Sequence, residues 1–204
     1  LSQLSAYIFD SLKSNNSIWI AQREGRTKDG DDQTDPALLK MLQLQGRKQK
    51  KEFAEYIREL KIVPVSISYQ YEPCAIAKAK ELYHKQHHGK YVKSAGEDIA
   101  SIVEGFSTAK GHVHLAFGKP VTQECDSPEQ LAKTIDKQIV DSFFLHPGNY
   151  IAGGCKQAVI DKQDVQAFEQ RLARVPEELR SLVSAMYAKP FHRKTEINND
   201  ELCK

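Results

Sequence analysis

Ile18-Trp19-Ile20-Ala21-Gln22-Arg23-Glu24-Gly25-Arg26-Thr27-Lys28-Asp29-Gly30 sets an apolar run against a charged loop hinged by two glycines. β-branched and aromatic residues favour extended backbone, so residues 18–22 read as a buried strand. Such a strand delivers Arg23, Arg26, Lys28 and a set of backbone donors to one point at its end. Converging cations and amides hold anionic oxygen clusters. Glycine admits close approach of a ligand to the backbone, and arginine grips two phosphate oxygens at once. Glu24-Gly25 alone is a common turn dipeptide. The strand before it, the basic residues after it, Gly30 and the helix start at Asp35-Pro36 give it the character of an anion pocket.

Upstream, Leu1, Leu4, Ile8 and Leu12 recur at helical spacing, so the opening helix reaches about Ser14 and is punctuated by Asn15-Asn16-Ser17. No cap stands before Leu1, which is not a methionine, and the expectation is that something precedes it in the natural protein. Downstream, Asp35-Pro36 combines an N-cap with a first-turn proline, and Leu38, Met41 and Leu42 form one apolar face. Phe53, Tyr56, Ile57 and Leu60 repeat that spacing in a second amphipathic helix. The basic run from Arg47 to Lys51 is its solvated start; the sharper alternative is a surface for anionic lipid or an acidic carrier protein.

Ile62 to Tyr69 is a second expected strand, with Pro64 at its start or on an edge position because proline has no amide hydrogen to donate. A helix opens at Pro73 and another spans Glu97 to Phe106. His112 to Phe117 makes a third strand, closed by Gly118-Lys119-Pro120. From Ser127 the pattern is helical, with further helices at Asp161 to Leu172 and Pro176 to Tyr187 and a frayed tail beyond Pro190. Strands alternating with helices predict an α/β fold whose small sheet is at least partly parallel, with a helical C-terminal region.

The chain has 204 residues and 40% apolar content, enough to bury an ordinary core. Lys plus Arg total 29 against 27 acidic residues, a net charge of +2 that does not point to nucleic acid. Its four cysteines form no C-x-x-C pair, so no zinc ribbon or redox dithiol is expected and the thiols read as reduced. No apolar run approaches the roughly 20 residues of a membrane helix. His84, His87 and His88 have no carboxylate or cysteine at a matching ligand spacing, and read as a solvated helix end. His112 and His114 lie on one side of a strand, where packing competes with a metal or a second catalytic base.

The order Glu24-Gly25-Arg26-Thr27-Lys28-Asp29-Gly30 resembles the phosphate-binding block of the glycerolipid acyltransferases (glycerol-3-phosphate / 1-acylglycerol-3-phosphate acyltransferase-like), and is most similar to the branch that acylates glycerol 3-phosphate or dihydroxyacetone phosphate. That block reads Glu-Gly-x-Arg-Ser followed by a basic residue and a glycine; here one residue fewer precedes the arginine. Ile62-Val63-Pro64-Val65-Ser66-Ile67 is similar to the family's later apolar block, and His112 to Pro120 to its closing strand. The resemblance covers residues 1–122 as the C-terminal part of an acyltransferase α/β domain, leaving 123–204 as a helical extension.

The resemblance implies transfer of a fatty acyl group from acyl-coenzyme A or acyl carrier protein to a glycerol phosphate, without a resident cofactor or metal. It implies that Glu24 and Gly25 orient the acceptor, that Arg26 and Lys28 bind its phosphate, and that the protein works in the cytoplasm or on the cytoplasmic face of a membrane. The family's His-x-x-x-x-Asp pair, whose histidine is the general base, is absent: none of the seven histidines has aspartate five positions on. The chain is therefore expected to be a portion without the catalytic histidine. The alternative is a non-catalytic module that captures phosphate or an acidic partner.

Overall fold

Helix makes up 59% of the structure, a computed structural model describing all residues except 24, 26, 123–124, 156–159 and 199–204. In chain order the elements are α1 (Ser2–Lys13), α2 (Pro36–Lys48), α3 (Phe53–Leu60), β1 (Val65–Tyr69), α4 (Ala75–His88), α5 (Glu97–Ser107), β2 (Val113–Phe117), α6 (Pro128–Ser142), α7 (Pro147–Ala152), α8 (Lys162–Ala173) and α9 (Glu177–Asn198). Among the described residues no helix is long and apolar enough to cross a membrane. The chain divides into two compact units that interleave in sequence: Leu1–Arg26, Asp32–Ser66 and Ala116–Ser142 in the first, Thr27–Asp31, Ile67–Leu115 and Phe143–Lys204 in the second.

In the first unit α2 is the hub, packed by α1, α3 and α6. Its start is local chemistry: the Asp35 carboxylate accepts from the Ala37 amide and Pro36 occupies the first turn. Leu39, Met41 and Leu42 turn inward to meet Ile8 of α1, the whole apolar stripe of α3 and Leu131 and Ile135 of α6. Ser5 bridges α1 to α2, donating to the Leu42 carbonyl at 2.9 Å and accepting from the Gln45 amide at 3.0 Å. Gly46 is required by the crossing of α2 and α3, since a Cβ there would stand 2.5 Å from Cγ of Tyr56. Asp136 of α6 accepts from both the amide and the hydroxyl of Thr34.

The second unit is built on α9, against which α4, α7 and α8 pack. Phe168, Val175, Leu179, Val183 and Tyr187 form its core with Ala79. Asp161 caps α8 by accepting from the amides of Gln163 and Asp164. The frayed tail expected after Pro190 is instead helix, which runs through the proline to Asn198. Proline cannot donate to the carbonyl four residues back, but Tyr187, Ala188 and Phe191 are buried around it and packing outweighs the lost bond.

The sheet corrects the sequence reading in two ways. Among the described residues it has two strands, β1 and β2, and they run antiparallel rather than parallel. The pairing extends past both ends of the ladder, with the Gly118 amide donating to the Pro64 carbonyl at 2.8 Å and the Gln70 amide to the His112 carbonyl at 2.9 Å. Residues 18–22 are not a strand: Trp19 is 67% exposed and Ile20 41%. A strand needs a neighbouring ladder to satisfy its backbone, and the Gln22 carbonyl is taken by the Asp35 amide, at the entry of α2. Cys74 and Cys125 are buried and lie outside any disulfide, whereas Cys155 is disulfide-bonded, against the expectation of reduced thiols throughout.

Candidate functional site

Of the four residues singled out for phosphate binding, Glu24 and Arg26 lie outside the described residues. Gly25 is exposed with φ +77°, and a Cβ there would meet nothing within 4 Å. Lys28 is well placed by a carboxylate: its Nζ lies 2.7 Å from Glu81 Oε2, while Lys85 holds Oε1 of the same group at 2.8 Å. Burial alone would raise the Glu81 pKa; the hydrogen bonds and charges of Lys28 and Lys85 outweigh it and hold the carboxyl below its usual range. The Lys28 charge is thus matched within the fold, and one consequence is that residues 27–31 are tied to α4.

The other end of this segment is tied to α9. Gly30 has φ +80°, and a Cβ on it would come 2.5 Å from the Met186 carbonyl oxygen, the acceptor that Pro190 leaves without its helical donor. Asp31 then reaches Arg193 at 2.6 Å and Lys189 at 3.3 Å. Burial raises the Asp31 pKa, but its two cations pull it down further, so it stays ionised below the usual carboxylate range. A segment held by two ion-pair clusters and a glycine pressed on a helix is a shaped loop.

A second constellation was visible in part from the spacing of His112 and His114 on β2. The structure adds His146, which the sequence reading passed over. The His112 and His146 ring centroids are 5.3 Å apart, and Phe144 stands 5.4 Å from His112, 5.2 Å from His114 and 4.9 Å from His146. His146 is 2% exposed, and its Nε2, like His114 Nδ1 and the hydroxyl of the equally buried Ser68, has no hydrogen-bond partner. Burial lowers the His146 pKa below the usual histidine value; interaction with the Ser68 backbone opposes this, and the charges of His112 and His114 reinforce it. The available signal was His146-Pro147-Gly148-Asn149, where a first-turn proline and a capping asparagine start α7.

His84, His87 and His88 form a helix end, with His87 Nδ1 2.8 Å from the Tyr83 carbonyl and its ring stacked on Tyr83. Among the described residues no three His, Cys, Asp or Glu side chains are placed to hold a metal ion. Compared with known protein families, curated proteins and solved structures, the chain finds no match.

Proposed function

We propose that this chain is part of a glycerolipid-type acyltransferase that moves a fatty acyl group from acyl-coenzyme A or acyl carrier protein to a glycerol phosphate. The observation that carries the reading is the construction of the loop after Gly25: Lys28 is held by Glu81, Gly30 is pressed on α9, and Asp31 is held by Arg193 and Lys189. Binding energy for a small anion is best used when the binding loop is ordered in advance. In this reading Glu24 and Gly25 orient the acceptor, Arg26 grips its phosphate as a bidentate donor, and Lys28 keeps the segment in place beside it. The base that activates the acceptor hydroxyl comes from outside these residues. Donors with long acyl chains place the reaction at a membrane surface, reached peripherally from the cytoplasm.

The test is acyl transfer from a long-chain thioester to glycerol 3-phosphate by the natural full-length protein, beside its Arg26→Ala and Glu81→Gln variants. Loss of the phosphate grip raises the acceptor KM by at least tenfold while kcat with saturating acceptor changes less. Glu81→Gln loosens the loop and has a smaller effect in the same direction. A folded full-length protein that transfers no acyl group overturns the reading and leaves a phosphate-capturing module in its place.

A further inference from the structure

We infer that a cleft in the second unit binds a small molecule with an apolar body and a carboxylate head, at a site that does not depend on the acyl-transfer reading. The cleft encloses about 200 Å³ between the start of α4, the end of α5, the end of α8 and α9. All of its lining residues belong to the second unit. Ile76, Phe168, Leu172, Val175 and Val183 make the apolar part of the wall. Phe168 and Tyr187 are buried and meet edge to face, with ring centroids 5.3 Å apart, so this side is packed in advance of any ligand. Apolar cavities of about 150 Å³ take up benzene, which sets the body of the ligand at one ring or a short branched chain.

The charged groups of the same wall select the head. Arg171, Arg174, Glu72 and Glu104 all border the cleft. Glu72 is already matched: Lys78 Nζ lies 3.1 Å from its Oε2, and the Cys74 amide donates to its Oε1 at 3.2 Å. Neither arginine has a carboxylate partner among the described residues. With Glu72 neutralised by Lys78, the two arginines outnumber Glu104 and leave the wall one positive charge in excess. Cations near a helix C-terminus often serve its last carbonyls, but at the end of α8 that work is done by Arg180, which donates to the Val175 carbonyl at 3.0 Å and the Ala173 carbonyl at 3.1 Å. Arg171 instead lies over the Tyr71 ring, its guanidinium carbon 3.8 Å from the centroid. Stacking uses the face of the guanidinium and leaves its N–H edge, which matches a carboxylate with two parallel bonds. Tyr187 adds a neutral donor: its hydroxyl accepts from the Glu72 amide at 2.8 Å and keeps its own hydrogen to give. Burial pushes the Tyr187 pKa up, so the hydroxyl stays protonated.

The experiment is an NMR titration of the whole chain, labelled at its isoleucine, leucine and valine methyls, with benzoate, benzyl alcohol, benzylamine and phenylalanine in turn. Benzoate is expected to shift the Ile76, Leu172, Val175 and Val183 methyls saturably and to bind at least about tenfold tighter than benzyl alcohol, the usual worth of a hydrogen bond to a charged group. Arg171→Met, which keeps the apolar stem of the side chain, and Arg174→Met each shrink that preference while thermal unfolding stays cooperative. Phenylalanine binding tighter than benzoate supports the site and assigns an amino acid, with Glu104 taking the ammonium; phenylalanine binding no tighter than benzoate assigns a simple carboxylate. The inference is overturned if these four methyls do not respond, if benzyl alcohol or benzylamine binds as tightly as benzoate, or if a folded Arg171→Met/Arg174→Met double variant keeps the full preference for benzoate.

Discussion

α3 and α5 carry the same sequence pattern and meet opposite fates. Phe53, Tyr56, Ile57 and Leu60 of α3 are all buried, none more than 8% exposed, whereas Ile99, Ile102, Val103 and Phe106 of α5 sit at the same i, i+3, i+4, i+7 spacing and are 54–84% exposed. α5 turns its small and polar side inward instead: the Ser101 carbonyl accepts from Cys74 Sγ at 3.6 Å, and Gly105 faces the same sulfur. The sheet repeats this inversion, with Ser66 and Ser68 buried and Ile67, Val113, Leu115 and Phe117 exposed. Periodicity specifies a helix and a stripe; whether the stripe is covered depends on another element having a complementary face. α2 supplies one for α3 through Gly46, and among the described residues nothing supplies one for α5.

The sharpest way to break this comparison is to truncate one residue of each stripe. Tyr56→Ala is expected to cost about 3–5 kcal/mol, and Ile102→Ala less than about 0.5 kcal/mol, read from urea unfolding midpoints; similar losses would show that α5 is covered in solution. Next, Gly46→Ala forces a Cβ against the Tyr56 ring and should cost about 1–3 kcal/mol by the same measurement, confirming that the α3 stripe is buried by close approach and not by area alone.

The second unit carries a pH dependence that a purely apolar core lacks. The folded His146 pKa lies below its unfolded value, so the unfolded chain binds the proton first. Stability should fall as the pH drops from about 6.5 towards the lower folded pKa. Asp31 and Glu81, with folded pKa values lowered by their cations, contribute stability that is lost only in more acid solution, as the pH falls through those values. His146→Gln should remove the first loss and keep the second in thermal unfolding followed across pH. The smallest effect belongs to the inverted sheet: Ser66→Ala removes a buried hydroxyl without a partner and should be neutral or stabilising by up to about 1 kcal/mol, the reverse of truncation at Tyr56.

What was legible along the chain was whatever a few neighbouring residues decide. The Asp35-Pro36 and Asp161 helix starts follow from side-chain oxygens reaching amides two or three residues on, and the position of β1 just after Pro64 follows from a missing donor. The candidate loop was visible as a glycine-hinged basic segment, and His112 and His114 as a pair on one strand. The partners of these residues were not visible. Glu81 lies 53 positions from Lys28 and Arg193 162 from Asp31, and no periodicity links them. Ile18 to Gln22 has the composition of a strand, but no ladder is there to receive it.

The sequence by itself therefore determined where helices begin, which faces are apolar and where glycine and proline are tolerated at element ends, because hydrogen bonds and side-chain contacts within about one turn set these. Only the tertiary structure decided that β1 and β2 pair antiparallel, that α9 continues through Pro190, that Lys28 is matched by Glu81 and that His146 completes a three-histidine cluster. Each of these depends on a group distant in sequence, and packing between such groups outweighs local preference where the two conflict.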